Sequence, residues 1–263
     1  MNKTAIEWCD MTWNPVTGCL HDCPYCYAAR IARRFGEKYV TTVPAMPHIK
    51  RVHNGKCYEL TEACKTSYPF GFSPTLHRYR LDEPLRIKKP QNIFVCSMAD
   101  LFGEWVPDEW IKAVFEACAK APWHRYLFLT KNPKGAWRDG VPILKGAWYG
   151  ATITRNADLE RISRLILNGN RYISIEPILE PINLSARPVK TAIPFADWVI
   201  IGAETGSKKS KVIPKREWIE SIVKECREQE IPVFMKDSLR GIWKEPLVQE
   251  YPWENEKLER YYG

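Results

Sequence analysis

The stretch Asn92–Lys131, NIFVCSMADLFGEWVPDEWIKAVFEACAKAPWHRYLFLTK, decides the fold. It opens on NIFVCSM, a short run rich in β-branched and aromatic residues, and passes into VPDEWIKAVFEACAKA, with apolar residues three and four apart. It closes on a second strand-like run, RYLFLTK. The rhythm continues toward the C-terminus. Strand-like runs recur as WYGATIT, RYISIEP, DWVIIGAE and IPVFMKD, and helical patterns NADLERISRLILNG and IPKREWIESIVKECREQE lie between some of them. Nearly all-apolar strands alternating with amphipathic helices predict a parallel sheet covered by helices.

Working outward toward the N-terminus, MTWNPVT reads as the first strand and brings the count to about seven β/α steps. That number suits an open or closed barrel, so the expected organisation is one α/β domain over 1–263. Val40–Pro90 breaks the pattern. Prolines at 44, 47, 69, 74, 84 and 90, with Cys57, Cys64, His48, His53 and His77, read as an irregular insertion at about 40–90.

A chain of 263 residues that is 45% hydrophobic can bury a sizeable core. No apolar run is long enough to span a bilayer, and MNKTAIEWCDMTW lacks the apolar centre of a signal peptide, so a soluble cytoplasmic protein without membrane contact is expected. Nine cysteines without an export signal point to metal binding in a reduced compartment rather than to a disulfide framework. Thirty-nine Lys and Arg against thirty-one Asp and Glu leave a formal charge of +8, which favours a polyanionic partner such as nucleic acid.

Ligands of parallel α/β sheets bind at the carboxyl ends of the strands. The residues there are polar at every step: Thr17 and the cysteines after it, Ser97 and Asp100, Thr130 and Lys131, Thr152 and Thr154, Glu176, Glu204 and Thr205, Lys236 and Asp237. Lys131 and Lys236 are placed to bind a carboxylate or phosphate, or to pair with Glu176 and Glu204. The run GSKKSKVIPKR, with Lys208, Lys209, Lys211, Lys215 and Arg216, follows the sixth strand. It reads as a polyanion-binding loop or as a solvated charge run.

The first strand leads into TGCLHDCPYCYAAR, Thr17–Arg30, and then into the helix-forming AARIARRFGEKY. Three thiolates spaced Cys-x3-Cys-x2-Cys can hold three irons of a [4Fe–4S] cluster and leave the fourth open. A zinc site needs a fourth ligand, which His21, Cys57 or Cys64 would have to supply. Cys57 and Cys64, with His48, His53 and Cys9, are also candidates for a second metal site. Cys96 ends a strand, whereas Cys118 and Cys226 lie in helical patterns and read as small buried hydrophobes.

The segment CLHDCPYC resembles the signature of the radical S-adenosylmethionine superfamily. Together with IEWCDMTWNPVTGC, CYA, VCSMADLFG, SIEPIL and VIIGAETG, it resembles more closely an uncharacterised phage and prophage family of radical-SAM type, the phage gene-product 37/68 type. The resemblance implies a partial (β/α) barrel of about six to seven parallel strands, with Cys19, Cys23 and Cys26 on the cluster and Tyr25 against the adenine of S-adenosylmethionine. Ser97 and Asp100 occupy the place of a Gly-Gly-Glu-like stretch, from which CSMAD departs. Thr152, Ser174 and Glu176 become candidates for the ribose and Gly202 for the adenine platform, with Lys236 and Glu204 as candidate catalytic residues. It further implies a 5′-deoxyadenosyl radical, an electron donor such as a flavodoxin or ferredoxin, and, with the basic charge, a nucleotide or nucleic-acid base as substrate. Two other readings remain open: a zinc-stabilised nucleic-acid-binding protein without catalysis, and a non-catalytic iron–sulfur protein. Polar residues at every strand end favour the enzyme.

Overall fold

In a computed structural model of the chain, which describes residues 1–36, 49–52, 56–64, 66–137, 144–165, 169–186, 195–206 and 210–254, the run MTWNPVT forms two strands rather than one. Pro15 has no N–H to donate to a ladder, and the chain breaks at Asn14–Pro15. The two pieces enter different sheets.

By its contacts the chain divides into two compact units, Met1–Trp148 and Tyr149–Gly263. The first carries β1 (Asn2–Lys3), β2 (Met11–Trp13), β3 (Val16–Thr17), β4 (Ile49–Val52), β5 (Cys57–Leu60), β6 (Thr75–His77), β7 (Asn92–Val95) and β8 (Arg125–Thr130). One sheet runs β1-β2-β7-β8, with β1 antiparallel to β2 and the other pairs parallel. A second runs β3-β6-β5-β4, in which only β5 and β6 are parallel. Between β3 and β4 lies α1 (Tyr27–Phe35), and between β7 and β8 lies α2 (Asp108–Lys120).

The stretch from β7 to β8 forms the strand, helix and strand read from it. Trp110, Ile111, Val114, Phe115, Ala117 and Cys118 bury one face of α2, and Phe115 stacks on Phe128 of β8 at 5.1 Å between ring centres. Asp108 and Glu109 in the first turn and Lys120 in the last complement the helix dipole. Glu59 of β5 is buried and accepts hydrogen bonds from Arg78 Nε (2.8 Å) and Trp110 Nε1 (2.7 Å), so its charge is compensated and α2 is tied to the second sheet.

The second unit carries β9 (Trp148–Thr152), β10 (Asn170–Ile175), β11 (Trp198–Ile201) and β12 (Val233–Met235), in the order β9-β10-β11-β12, followed by the short α4 (Arg240–Trp243). The helix α3 (Arg216–Arg227) connects β11 to β12 and buries Ile219, Ile222 and Cys226.

The radical-SAM-type partial barrel of six to seven parallel strands is not what forms. Each unit holds four strands of mixed, mostly parallel pairing, and three strands of a second mixed sheet, β4, β5 and β6, lie within the region expected to be an irregular insertion. Several crossovers also lack the expected α-helix. NADLERISRLILNG gives a 3-10 helix over Asn156–Arg164, because its buried residues Leu159, Ile162 and Leu165 recur every three positions, the period of that helix. Only a 3-10 turn, Leu184–Ala186, is described between β10 and β11. Among the described residues no helix is long and apolar enough to cross a membrane.

Ile173 of β10 is fully buried in the core of the second unit, whereas Ile213 is exposed. Ile173→Ala is expected to lower the unfolding free energy by about 2–5 kcal/mol in urea titrations, and Ile213→Ala to change it by less than about 0.5 kcal/mol.

Candidate metal centre

The cysteine loop is built on a glycine. Gly18 has φ +84°, and a Cβ there would lie 2.2 Å from the Ser73 carbonyl oxygen, so only glycine fits the turn. Its N–H donates to the Met98 carbonyl (3.0 Å), and Cys19 N–H donates to that of Phe72 (3.1 Å). These bonds fasten the start of the loop between two neighbouring segments. At its far end Cys26 N–H closes on the Cys23 carbonyl (3.0 Å), and Cys26 Sγ caps α1 by accepting from Ala29 N–H (3.3 Å).

Cys19, Cys23 and Cys26 are half-buried, and all nine cysteines are free thiols. Burial pushes the Cys19 thiol up to about 12, with a backbone hydrogen bond from His21 opposing the rise and the neighbours Asp100 and Cys23 adding to it. Among the described residues no three His, Cys, Asp or Glu side chains are already gathered as a metal-holding group.

His21, inside this loop, is anchored by Asp100, which is buried in the turn after β7. Asp100 Oδ2 faces His21 Nε2 (2.8 Å) and accepts from Lys131 N–H (2.8 Å), while Oδ1 accepts from Thr130 Oγ1 (2.7 Å) and Phe102 N–H (3.1 Å). Burial opposes the Asp100 charge, yet the bonds from His21, Thr130 and Lys131 outweigh it and hold the carboxyl below its ordinary range. Lys131 Nζ stands over the Tyr25 ring at 5.7 Å. Ser97 Oγ donates to Asn14 Oδ1 (3.1 Å), and the Ser97 carbonyl accepts from Tyr27 OH (2.7 Å).

The Trp105 ring meets His21 edge-on, with centres 4.8 Å apart, and its Nε1–H is buried without an acceptor. A stranded donor beside a loop of three thiols fits a group that brings acceptor sulfur, and the donor set itself is the soft one that iron–sulfur clusters and zinc prefer. Gly103 makes the ring's position possible, since a Cβ there would lie 2.4 Å from it.

The second unit gathers a different set of the predicted residues. Glu176, beyond β10, accepts from Lys236 Nζ, beyond β12, at 2.5 Å. Gly202, beyond β11, lies between them: a Cβ there would sit 3.1 Å from the Lys236 chain, 3.3 Å from Ser238 Oγ and 3.4 Å from the Glu176 carboxyl carbon. Glu204 is buried; its Oε2 accepts from Val212 N–H (3.2 Å), and its Oε1 has no hydrogen-bond partner. Ser174 is buried within β10, and its carbonyl accepts from Ile153 N–H (2.9 Å). Thr152 ends β9, its carbonyl taken by Arg161 Nη1 (2.7 Å).

The remaining candidates are dispersed. Cys57 lies in β5, where its Sγ–H donates to the Trp105 carbonyl (3.4 Å), and burial pushes its thiol up to about 11. Cys64 packs against an apolar group of Tyr58, Leu60 and Phe70. Cys9 Sγ–H points to the Ile6 carbonyl (3.9 Å). Cys118 and Cys226 are buried on α2 and α3, as read from their helical patterns. His48, His53, Lys208 and Lys209 lie outside the described residues. Of the basic run, Arg216 is held by Glu220 (2.8 Å) and Glu245 (2.6 Å).

Residues 3–252 match the family described as a protein of unknown function, DUF5131. The chain belongs to that family. No curated protein and no solved structure matches it. What this DUF5131 chain does must therefore come from its own side chains. Sequence reasoning passed over one of them, Asn14, the acceptor for Ser97 Oγ (3.1 Å) and Met98 N–H (3.0 Å). For Asn14 the Asn-Pro pair was the available signal.

Because folding lowers the Asp100 pKa, its contribution is fully present above the unfolded carboxyl value, about 4, and is lost as the pH falls through the lower folded value. In urea titrations across the acid range, Asp100→Asn in this DUF5131 chain is expected to lower stability at neutral pH by about 3–5 kcal/mol and to flatten the acid limb of the stability curve.

Proposed function

We propose that the chain binds a [4Fe–4S] cluster through Cys19, Cys23 and Cys26 and cleaves S-adenosylmethionine reductively, acting on a nucleotide or nucleic-acid base. The observation that carries this reading is three unbridged thiols in one short loop, fastened at Gly18 and Cys19 and ending on a helix N-terminus. When bound, the cluster would supply one electron to the sulfonium, whose C–S homolysis yields a 5′-deoxyadenosyl radical able to abstract hydrogen from carbon.

The chain's own residues have separable tasks. Cys19 must give up a tightly held proton on ligation, so loading is coupled to proton release. Cys26 holds the first turn of α1 through Ala29 N–H. Asp100, through His21, fixes the middle of the loop, and Trp105 Nε1–H is a donor for sulfur.

In the second unit, Lys236 is neutralised by Glu176, whereas Glu204 Oε1 is a buried acceptor suited to an amino group of a base. The formal charge of +8 supports a phosphate-bearing substrate, and nine free thiols support residence in the reduced cytoplasm.

The test is anaerobic reconstitution with iron and sulfide, followed by reduction and electron paramagnetic resonance with and without S-adenosylmethionine. The expected result is a [4Fe–4S] signal perturbed by S-adenosylmethionine, release of 5′-deoxyadenosine, and loss of both in Cys23→Ala. Stoichiometric zinc with no cluster would overturn the reading.

A further inference from the structure

One helix carries an exposed apolar stripe beside its buried face. On α1, Ala28 and Ala32 are buried, while Tyr27, Ile31 and Phe35, four residues apart and so on one face, are 42%, 37% and 60% exposed. With Leu20 in the preceding loop, they make four of the five large exposed hydrophobics among the described residues, and all four fall within residues 20–35. Single exposed apolar side chains need no explanation, but such a concentration marks an interaction surface.

The charge around the stripe says what covers it. Arg30, Arg33 and Arg34 are exposed, α1 contains no acidic residue, and no salt bridge reaches these arginines among the described residues. A second copy would bring its own arginines against them across a two-fold axis, which repulsion disfavours. Nucleic acid would want open aromatic faces, yet the middle of the stripe is the aliphatic Ile31 and the Arg34 guanidinium sits over the Phe35 ring at 5.1 Å. An apolar and aromatic stripe bordered by arginine is the composition of a protein interface and is complementary to an acidic partner.

We propose that this face of α1 is the docking surface for a small acidic electron carrier of the flavodoxin or ferredoxin kind; the proposal rests on the iron–sulfur reading. Cys26, a proposed cluster ligand, is the N-cap of α1, and the stripe begins at the next residue and runs about 12 Å along the helix. A carrier seated there stands beside the metal loop without entering it. The contact is expected to be small, transient and weakened by salt.

Carrier binding and electron delivery are read separately. Binding of a recombinant acidic flavodoxin and of a ferredoxin is measured with the wild type, Ile31→Glu and Arg30→Glu/Arg34→Glu, beside 5′-deoxyadenosine formation driven by the reduced carrier or by dithionite. The expected result is carrier affinity and carrier-driven yield lower by at least about tenfold in both variants, with dithionite-driven yield within about twofold of wild type. Unchanged carrier affinity in the variants overturns the docking surface even where the cluster forms. So does a fall of both yields together, or loss of binding to a single-stranded oligonucleotide in place of the carrier. A wild type that forms no cluster and cleaves nothing with dithionite overturns the iron–sulfur reading itself, and the docking proposal falls with it.

Discussion

The first unit depends on one buried carboxylate. Asp100 collects donors from three directions: its own turn through Phe102, the end of β8 through Thr130 and Lys131, and the cysteine loop through His21. A carboxylate has about four acceptor positions, and four protein groups face them, so desolvation of the charge is met by hydrogen bonds rather than by proton uptake. The loop is fixed in its middle through His21. Its backbone is held at Gly18 and Cys19 and again at Cys26, and His21 is the side chain that spans the interval. Loss of Asp100 would therefore act on the sulfurs without touching them.

A second constraint lies at Asn14–Pro15. Trp13 still belongs to β2 and its carbonyl accepts from Cys96 N–H (2.8 Å), whereas the Pro15 carbonyl accepts from His77 N–H (2.7 Å), next to the β3–β6 ladder. One proline thus hands the chain from one sheet to the other just before the cysteines. His77 is buried between Thr17 Oγ1 (2.9 Å) and Tyr79 OH (3.1 Å). Burial, aided by Arg80, pushes its pKa down to about 3, so it serves as a neutral polar strut under the base of the loop.

Strands and helices whose periodicity settles them were legible in the sequence. NIFV, RYLFLT, WYGAT, WVII and VFM are strands, and α2 and α3 follow their apolar spacing. The strand-end polar residues also fall where the runs end, at Thr130, Thr152, Glu176 and Lys236. What did not read out was set by partners rather than by pattern. CYEL in β5 is short and buried at all four positions, so it shows no alternation, and its identity as a strand comes from the flanking ladders with β4 and β6. The segment over 156–164 has the composition of an α-helix, but its buried side chains repeat every three residues, and Asp158 draws the N–H groups of Thr154 (2.8 Å) and Arg155 (3.3 Å) onto one oxygen at its start. The grouping of His21 with Asp100 spans 79 positions and leaves no local trace.

The three cysteines differ in ways their spacing conceals. Cys26 sits at a helix N-terminus and accepts from Ala29 N–H, while Cys19 is pushed toward the protonated thiol by burial and by its acidic neighbours. Ligation by metal would reverse that preference, since bound thiolate spreads its charge onto the cation. The sulfurs of the loop are thus held unevenly, one engaged by a backbone N–H and another buried. The same helix that engages Cys26 turns its alanines inward and its arginines outward. A single element accordingly engages the sulfur at its start and, along its length, sets the charge offered to whatever approaches.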